Sequence, residues 1–502
     1  MKMLTEAFQA ATGAAPDHIA VVDPLGRHSR ARVLEAAREL AGQFAGAVDA
    51  SPTVLVQADN TWRTLAAALA VGLRGGVIAV ISHHAAPAEF ALAIEDIDPD
   101  LVVAAPEALD QWGEAAAGFG GREPALDGFV LGVADRPAPG IDRWGGGRAI
   151  AMTSGSTGRP KCVVQTEEGL AYAAQSTIDI VGLEPGDSIG AFVPLSSMAA
   201  FCFGMYLPAH LGGTMVSIAR WRPDDALVAA REEQLRWTML VPTMALQFMQ
   251  SNRAAGALAS LRAMTVGGGP MDQNALGQAE ELLGTKILRV FGMSEVLGHT
   301  SPSPVEDRDV RLGRDGRPFP GTDVAAFDEL GLRLPAGEIG QGFVRGPSLC
   351  LGYARSGRIH PPELTDDGYL PTGDLVVVND DGTINVRGRQ KSIIIRGGRN
   401  IDINEVEAAI AAMPSVFQVC VVPVPDPLLG ERVAALVVSE RNDLDLEAVT
   451  GFLDQSGFPK QKWPEFVVAV DDLPQTRVGK LSRKDAVEIA AEYVRGIVKS
   501  TA

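Results

Sequence analysis

Apolar and polar residues alternate along the first part of the chain with two different periods. The segment 29–46 has apolar residues three and four positions apart, which predicts an amphipathic helix, whereas TVLVQA at 53–58 is a short apolar run typical of a buried strand. A second helical run, TLAAALAVGL, and the strand-like runs VIAVI and LVVAA continue the alternation. Strands that alternate with helices are typical of a parallel sheet covered by helices.

The same alternation returns between residues 214 and 292. The runs TMVSIA, TMLV, AMTVGG and ILRVFG predict strands, and the intervening segments predict helices over 224–234 and 243–259. We therefore expect two α/β layers in a large N-terminal domain.

The pattern changes twice in the second half of the chain. From about residue 310 to 388, short strands are broken by glycine and proline, which predicts a β-rich subdomain with tight turns. Beyond it the pattern is α+β, and Asn404 with Glu407 three residues later is a signal for a helix start. We predict a large domain over 1–388 and a small α+β domain over 389–502.

The charge and the apolar content restrict the possible partners. The 502 residues carry a formal net charge of −18, which would repel nucleic acids and anionic membranes, so neither is expected as a partner. No stretch has the roughly 20 consecutive apolar residues that a membrane span requires, and the N-terminus lacks a long apolar core, so a cytoplasmic location is predicted. Cys162, Cys202, Cys350 and Cys420 lie far apart without a CxxC pair, so we expect reduced, mostly buried thiols.

The segment MTSGSTGRPKCVV at 152–164 is the first candidate for chemistry. Its glycines allow backbone N–H groups to converge on phosphate oxygens, and its hydroxyl residues and Lys161 add donors. It is not a Walker A loop, because it leads into CVVQ, which predicts a strand rather than a helix. From these residues alone, a polar surface loop is the alternative.

Six further segments complete a recognisable series. They are GGGPM at 267–271, FGMSE at 291–295, GEIGQGFVRGPSLCLGY at 337–353, PTGD at 371–374, RGRQKSIIIRGGRNIDINEVE at 387–407 and PQTRVGKLSRK at 474–484. Together with the first segment they resemble, in the same order, the signatures of the adenylate-forming enzymes, the family of acyl-CoA synthetases, peptide-synthetase adenylation domains and luciferases. The first 150 residues resemble the family only in their general pattern.

The resemblance implies a nucleotide site and a magnesium site. Glu295 would be the glutamate associated with Mg²⁺, Asp374, predicted to lie in a turn, would bind the ribose together with Arg389, and Phe291 and the glycines of 267–269 would flank adenine. Taken alone, Glu295 is equally compatible with a solvated carboxylate, and the residue types of Asp374 and Arg389 favour an ordinary turn aspartate and a surface arginine. The ATP-binding residues implied are Thr153, Ser154, Gly155, Ser156, Thr157, Gly158, Lys161, Gly268, Gly269, Pro270, Phe291, Gly292, Met293, Ser294, Asp374 and Arg389.

The resemblance also implies a mobile small domain. Lys480 would be the catalytic lysine that enters between the substrate carboxylate and the α-phosphate, which is reasonable because one cation between two anions lowers their repulsion. Lys391 would be the hinge residue, although Ser392 replaces an acidic residue that is common there. Gly397 and Gly398 would line the channel for the CoA thiol.

The acyl pocket is expected to contain Ser197, Met198, Phe201, Val266, Gly267 and Leu297. The segment 191–206 offers no acid that could pair with an α-ammonium group, which favours an apolar or aromatic carboxylic acid over an amino acid. His299 either lines this pocket or caps the end of a strand.

These observations predict a ligase with ATP, Mg²⁺ and CoA as cofactors or co-substrates. A carboxylic acid and ATP would give acyl-AMP and pyrophosphate, and CoA would then accept the acyl group. Transfer to an amine or to a carrier-protein thiol is the alternative, and a non-catalytic nucleotide-binding protein is a more remote one. The sequence indicates neither the individual acid nor the oligomeric state.

Overall fold

The structure of the protein is a computed structural model that describes residues 1–153, 160–269, 271–389, 393–396, 399–426, 429–440, 444–476 and 481–501. Its α-helices are α1 (Lys2–Ala14), α2 (Arg30–Ala47), α3 (Trp62–Leu73), α4 (Pro87–Ile97), α5 (Pro106–Trp112), α6 (Glu167–Val181), α7 (Met198–Ala200), α8 (Leu207–Leu211), α9 (Pro223–Glu232), α10 (Pro242–Gln247), α11 (Gln273–Leu283), α12 (Arg308–Gly313), α13 (Ile403–Ala411), α14 (Leu446–Gln455) and α15 (Arg483–Thr501).

The strands of the first half of the chain are β1 (Ile19–Asp23), β2 (Gly26–Ser29), β3 (Thr53–Ala58), β4 (Val77–Ser82), β5 (Leu101–Ala104), β6 (Phe119–Pro124), β7 (Val130–Ala134), β8 (Ala149–Thr153), β9 (Lys161–Gln165), β10 (Ser188–Gly190), β11 (Thr214–Val216) and β12 (Trp237–Leu240). Those of the second half are β13 (Ala263–Gly267), β14 (Ile287–Val290), β15 (Thr300–Ser301), β16 (Arg317–Pro318), β17 (Asp323–Phe327), β18 (Ile339–Arg345), β19 (Gly352–Arg355), β20 (Arg358–His360), β21 (Leu370–Val378), β22 (Ile384–Arg389), β23 (Ile393–Arg396), β24 (Arg399–Asp402), β25 (Val416–Asp426), β26 (Gly430–Ser439) and β27 (Phe466–Ala469).

Two large sheets confirm the predicted α/β layers. One has the strand order β14-β13-β12-β10-β11-β1-β2 and is parallel except for β2. The other has the order β20-β19-β9-β8-β4-β3-β5-β7-β6, with parallel pairing among β3, β4, β5 and β8. Its outer strands are antiparallel, so this sheet is mixed rather than parallel as predicted.

The predicted helix over 29–46 and strand over 53–58 are present as α2 and β3. The helix begins where predicted because the Ser29 hydroxyl accepts a hydrogen bond from the Arg32 N–H at 3.3 Å. All of β3 is buried, as expected for a strand covered on both faces by helices.

The predicted helix over 243–259 is wrong in length. Helix α10 ends at Gln247, and only a single 3₁₀ turn over Phe248–Gln250 follows it. The Ser251 hydroxyl then accepts from the Arg253 N–H at 3.1 Å, and Gly256 adopts φ +62°, a conformation that a helix cannot continue through.

The β-rich region and the small C-terminal region form separate sheets. The former has the order β17-β18-β21-β22, and the latter the order β24-β23-β26-β25 with β27 parallel to β26. Alternate residues of β25 and β26 contribute to two apolar clusters, one shared with α13 and α14 and the other with α15, so both faces of the small sheet are buried. Helix α13 begins at Ile403, one residue before the predicted start signal at Asn404, and is capped by Asp402, whose carboxylate accepts from the Asn404 N–H at 2.8 Å.

One further sequence prediction concerns burial. All four cysteines are buried, as expected. Among the described residues, no helix combines the length and hydropathy needed to cross a membrane.

Candidate nucleotide and acyl site

The predicted phosphate loop connects two antiparallel strands. Thr153, the last residue of β8, pairs with Lys161, the first residue of β9, and the Thr153 hydroxyl donates to the Lys161 carbonyl oxygen at 3.2 Å. The chain therefore leaves the loop along a strand, as CVVQ predicts. Ser154, Gly155, Ser156, Thr157 and Gly158 lie outside the described residues. Because β8 runs parallel to β4, the loop begins at the carboxyl end of a parallel strand, where α/β proteins commonly bind ligands.

Two predicted nucleotide segments follow adjacent parallel strands. Gly267 ends β13 opposite Val290, which ends β14, so the segments that begin at Gly268 and Phe291 lie at one edge of the sheet. A Cβ atom on Gly267 would lie 2.6 Å from Cγ2 of Val290, which explains why glycine is needed here. Pro270 lies outside the described residues.

Phe291 is held from both its backbone and its ring. Its N–H donates to the Thr300 hydroxyl at 3.0 Å, and its ring lies 4.6 Å from the His299 ring at an interplanar angle of 83°. His299 is fully buried, with Nδ1 2.9 Å from the carbonyl oxygen of Val296, so Nδ1 carries the proton in the neutral ring. Burial lowers the pKa of His299 to about 4, and the side chain that supports Phe291 is therefore neutral at pH 7.

Glu295 and Lys161 both contact Tyr353, a residue that the sequence did not single out. The Tyr353 hydroxyl donates to Oε1 of Glu295 at 3.2 Å, and Nζ of Lys161 lies 4.9 Å from the centre of the Tyr353 ring. Burial, and next the charge of Glu295, raise the pKa of Tyr353, so its hydroxyl keeps its proton and acts as a donor. The only signal in the sequence was the aromatic residue at the end of the GEIGQGFVRGPSLCLGY segment.

A second unpredicted residue, Gln165 at the end of β9, holds the backbone of the same loop. Its buried side-chain amide Nε2 lies 2.9 Å from the Ser294 carbonyl oxygen, 3.3 Å from that of Glu295 and 3.2 Å from that of Ser348. The Glu295 carbonyl oxygen also accepts from the Cys350 N–H at 2.7 Å. The strand that begins with Lys161 thus ends with the side chain that fixes the position of Glu295.

Asp374 and Arg389, fifteen positions apart, are directly paired in the β-rich sheet. They face each other across the antiparallel strands β21 and β22, so Asp374 lies in a strand and not in the predicted turn. Asp374 is 7% exposed, and its N–H donates to the Thr372 hydroxyl at 3.1 Å. The pairing brings the two predicted ribose ligands together at the backbone level. The side chain of Arg389 lies outside the described part of the chain.

Three of the predicted acyl-pocket residues, Ser197, Met198 and Phe201, lie at a distorted helix. Ser197 caps α7 by accepting from the Ala200 N–H at 3.2 Å, and a π-helical turn over Phe201–Tyr206 then leads into α8. Such turns are rare and are often found at functional sites. Met198, Phe201, Val266 and Leu297 are all buried. A cavity of about 10 Å³ lies beside the turn, lined by residues that include Phe203, Gly204 and Met239.

Asn60, which follows β3, holds the segment that enters this region. Its Nδ2 lies 3.1 Å from the Val193 carbonyl oxygen and 3.4 Å from that of Ala191, and its Oδ1 accepts from the Leu195 N–H at 2.7 Å. Asn60 adopts φ +60°, which asparagine tolerates better than most residues. The Asn that follows the strand TVLVQA was the only signal in the sequence.

The predicted residues of the small domain are not among those that the structure describes. Lys480, Lys391, Gly397 and Gly398 all lie outside the described residues.

Comparisons with known proteins identify the class. The family model described as AMP-binding enzyme matches residues 8–354, and the model of the AMP-binding enzyme C-terminal domain matches residues 405–480. The chain therefore belongs to the AMP-binding enzyme family. It is an adenylate-forming ligase that uses ATP and a carboxylic acid, and it has the large N-terminal and small C-terminal domains of that family.

Three similar proteins span nearly the whole chain. A relative from Streptomyces sp, described as salicylyl-CoA synthase / salicylate adenylyltransferase, is 29% identical over 522 residues, which cover 96% of this chain and 93% of the relative. The ATP-bound structure of MatB from Rhodopseudomonas palustris is 26% identical with a TM-score of 0.81, covering 97% of this chain and 99% of MatB. The amide bond synthetase McbA from Marinactinospora thermotolerans is 25% identical with a TM-score of 0.80, covering 97% and 99%.

Proposed function

We propose that the protein joins an aromatic or apolar carboxylic acid to AMP and then transfers the acyl group to the thiol of CoA. The observation that carries this proposal is the contact series in which Lys161 and Glu295 meet at Tyr353, beside the loop after β14. A cation and a carboxylate that both contact one tyrosine side chain, rather than each other in an ion pair, suit a nucleotide phosphate and its metal ion.

The nucleotide would lie across the carboxyl ends of β8, β13 and β14. Thr153, Lys161 and the residues 154–158 would bind its phosphates, Gly268, Gly269, Pro270 and the segment Phe291–Ser294 would contact the adenosine, and Asp374 with Arg389 would bind the ribose hydroxyls. The pairing of Asp374 with Arg389 and the adjacency of the segments after β13 and β14 support these roles.

Glu295 fits a magnesium site. Its carboxylate offers the hard oxygen ligand that Mg²⁺ prefers, while the Tyr353 hydroxyl occupies one of its two oxygens. Among the described residues no group of three or more His, Cys, Asp or Glu side chains is placed so that it could hold a metal ion. The phosphates and water would therefore complete the coordination. The ion would neutralise charge on the phosphates while Glu295 holds it.

The first step is a displacement at the α-phosphorus. A carboxylate oxygen of the acid forms a bond to that phosphorus, and the bond to the bridging oxygen of pyrophosphate breaks, with the electron pair leaving on pyrophosphate. Lys161 and Lys480 would place positive charge beside the two anions that must meet, which lowers the barrier most in a site with little water. In the second step the CoA thiol would attack the acyl carbon and release AMP, after a rotation about Lys391 that exposes the channel beside Gly397 and Gly398.

The class of acid follows from the residues around the π-helical turn. Buried side chains of Met198, Phe201 and Phe203 offer apolar and aromatic surface, and no carboxylate lies in the segment 191–206. An α-ammonium group would lack a partner there, at a cost of several kcal/mol for an unpaired buried charge. The relative described as salicylyl-CoA synthase / salicylate adenylyltransferase supports an aromatic acid.

Exchange of labelled pyrophosphate into ATP tests the first step. The assay compares benzoate, salicylate, octanoate and phenylalanine as acids. We expect exchange with one of the first three and none with phenylalanine. A protein that shows no exchange with any carboxylate across a wider panel would be a nucleotide-binding protein rather than a ligase.

The acceptor is tested with the acid found in that assay. The enzyme, ATP and the acid are incubated with CoA, with a primary amine or with a phosphopantetheinylated carrier protein, and the products are identified by mass spectrometry. We expect the acyl-CoA to form fastest. Because McbA is an amide bond synthetase, amide formation is the second candidate, and amide without acyl-CoA would replace our proposal by that one.

A further inference from the structure

Tyr353 joins the strand that leaves the phosphate loop to the carboxylate proposed for the metal. Its strand β19 pairs with β9 on one side and with β20 on the other, with Tyr353 opposite Val163 and His360. Strand side chains alternate between faces, so Lys161, two residues before Val163, lies on the same face as Tyr353. Two strand pairings therefore fix the backbone from which the aromatic ring extends.

The two ends of the Tyr353 side chain make different contacts. The ring faces Nζ of Lys161, as in a cation–π interaction, and the hydroxyl donates to Oε1 of Glu295. Lys161 and Glu295 thus contact the same side chain. An ion pair between the two would withdraw both charges from a nucleotide. Instead, Lys161 contacts the ring of Tyr353 and Glu295 accepts a hydrogen bond from its hydroxyl, and each of these interactions is weaker than an ion pair.

The backbone of Glu295 is held separately from its carboxylate. Gln165 and the Cys350 N–H bind its carbonyl oxygen, while only the Tyr353 hydroxyl among the described contacts binds its carboxylate. Loss of the hydroxyl would leave the loop in place and free only the carboxylate. This separation makes the role of Tyr353 testable.

We propose that Tyr353 is a positioning residue that orients the Glu295 carboxylate toward the divalent cation and keeps Lys161 apart from it. This inference rests on the proposed function. Tyr353 itself acts through Glu295 and Lys161. Groups that orient a metal-binding carboxylate commonly change metal affinity by about 10- to 100-fold when removed.

The experiment measures cation binding directly. Electron paramagnetic resonance follows the binding of Mn²⁺ to the full-length protein in the presence of α,β-methylene ATP. We expect Tyr353→Phe, which keeps the ring, to weaken Mn²⁺ binding about tenfold. Tyr353→Leu also removes the ring, so that Lys161 loses its support. We expect this variant to show, in addition, a weaker affinity for the nucleotide when that affinity is measured in the absence of Mn²⁺.

Tyr172→Phe is the matched control. Its hydroxyl contacts the Pro320 carbonyl oxygen at 2.8 Å and the Thr322 hydroxyl at 2.9 Å, and neither group touches Glu295. We expect this variant to bind Mn²⁺ like the wild type. If the hydroxyl of a partly buried tyrosine had only a structural role, its removal would lower the thermal midpoint of both variants and would change the Mn²⁺ affinity of neither.

The activity assay separates this inference from the function on which it rests. In pyrophosphate exchange, Tyr353→Phe should require about tenfold more free Mg²⁺ for half-maximal rate, with the KM for the acid within about twofold of the wild type. A wild type that exchanges pyrophosphate, with a Tyr353→Phe variant of unchanged Mg²⁺ and Mn²⁺ dependence, overturns the role of Tyr353 alone. A wild type that binds no Mn²⁺ with the nucleotide overturns both.

Discussion

The Gln165 side chain donates to the carbonyl oxygen of Ser294 at 2.9 Å, across 129 positions of sequence. This hydrogen bond joins the sheet that carries the phosphate loop to the loop that follows β14 in the other large sheet. It makes the position of Glu295 depend on β9, the strand that begins with Lys161. One buried amide therefore links the two halves of the proposed nucleotide site, in addition to the contacts that Cys350 and Tyr353 make with Glu295.

We expect Gln165→Leu to destabilise the protein and to slow acyl-adenylate formation. The partly buried carbonyl group of Ser294 and the buried one of Ser348 would lose this donor, at a cost of about 1–3 kcal/mol in the free energy of unfolding. Urea unfolding and pyrophosphate exchange measure the two effects. Gln175→Leu is the control, since Gln175 is exposed on α6 and its side-chain amide donates to Asp179 on the same helix at 2.8 Å. Equal losses in both variants would contradict the role of Gln165.

Substitution of Asn60 should affect the binding of the acid more than the binding of the nucleotide. Asn60→Ala removes the hydrogen bonds to Val193 and Leu195 and places alanine at φ +60°, which together should lower the free energy of unfolding by about 2–4 kcal/mol. Because segment 191–195 leads into the predicted acyl pocket, we expect the KM for the acid to rise more than the KM for ATP. Asn60→Gly relieves the backbone strain but does not replace the hydrogen bonds. It should therefore restore part of the stability and leave the KM for the acid as high as in Asn60→Ala.

Lys480→Ala should abolish most acyl-adenylate formation. Loss of one preorganised cation at the reacting anions is expected to lower the rate by about 10² to 10³. Pre-steady-state release of pyrophosphate in a single turnover measures this step directly. Lys484→Ala removes a neighbouring exposed lysine and should retain the wild-type rate. Unchanged pyrophosphate release by Lys480→Ala would rule out the assignment.

His299 should make the stability of the protein dependent on pH in a defined range. Its folded pKa of about 4 lies below the value of 6.5 for an exposed histidine, so the unfolded chain binds the proton first. The contribution of His299 is complete above pH 6.5 and is lost as the pH falls to about 4, by roughly 3 kcal/mol in total. Urea unfolding at several pH values should show that the free energy of unfolding falls less steeply with decreasing pH in His299→Gln than in the wild type. Parallel plots of that free energy against pH for the two proteins would contradict the buried neutral ring.

The cysteines should be unreactive in the folded protein. Burial raises the pKa of both Cys350 and Cys420 to about 12, so little thiolate forms at pH 8, and Cys162 and Cys202 are buried as well. The thiols of the native protein should not react with dithionitrobenzoate within minutes, so no thionitrobenzoate should form. In guanidinium chloride all four thiols should react. Rapid release of one equivalent from the native protein would identify a thiol that is accessible.

The sequence by itself determined the local elements and the identity of the family. Helix α2 is capped by Ser29 and β3 spans 53–58 as predicted, because a capping hydroxyl and a continuous apolar run are local signals. The helix predicted over 243–259 was too long, since the local hydrogen bond of Ser251 and the conformation of Gly256 outweighed the apolar periodicity.

Only the tertiary structure decided which residues support the predicted site. Tyr353, Gln165 and Asn60 act on groups 58, 129 and 133 positions away, and two of them bind backbone carbonyl oxygens, which every residue carries. Such contacts leave no periodic pattern in the chain. They depend on the register of β9 with β19 and on the order of the strands in the two large sheets, which are set by the packing of the whole molecule.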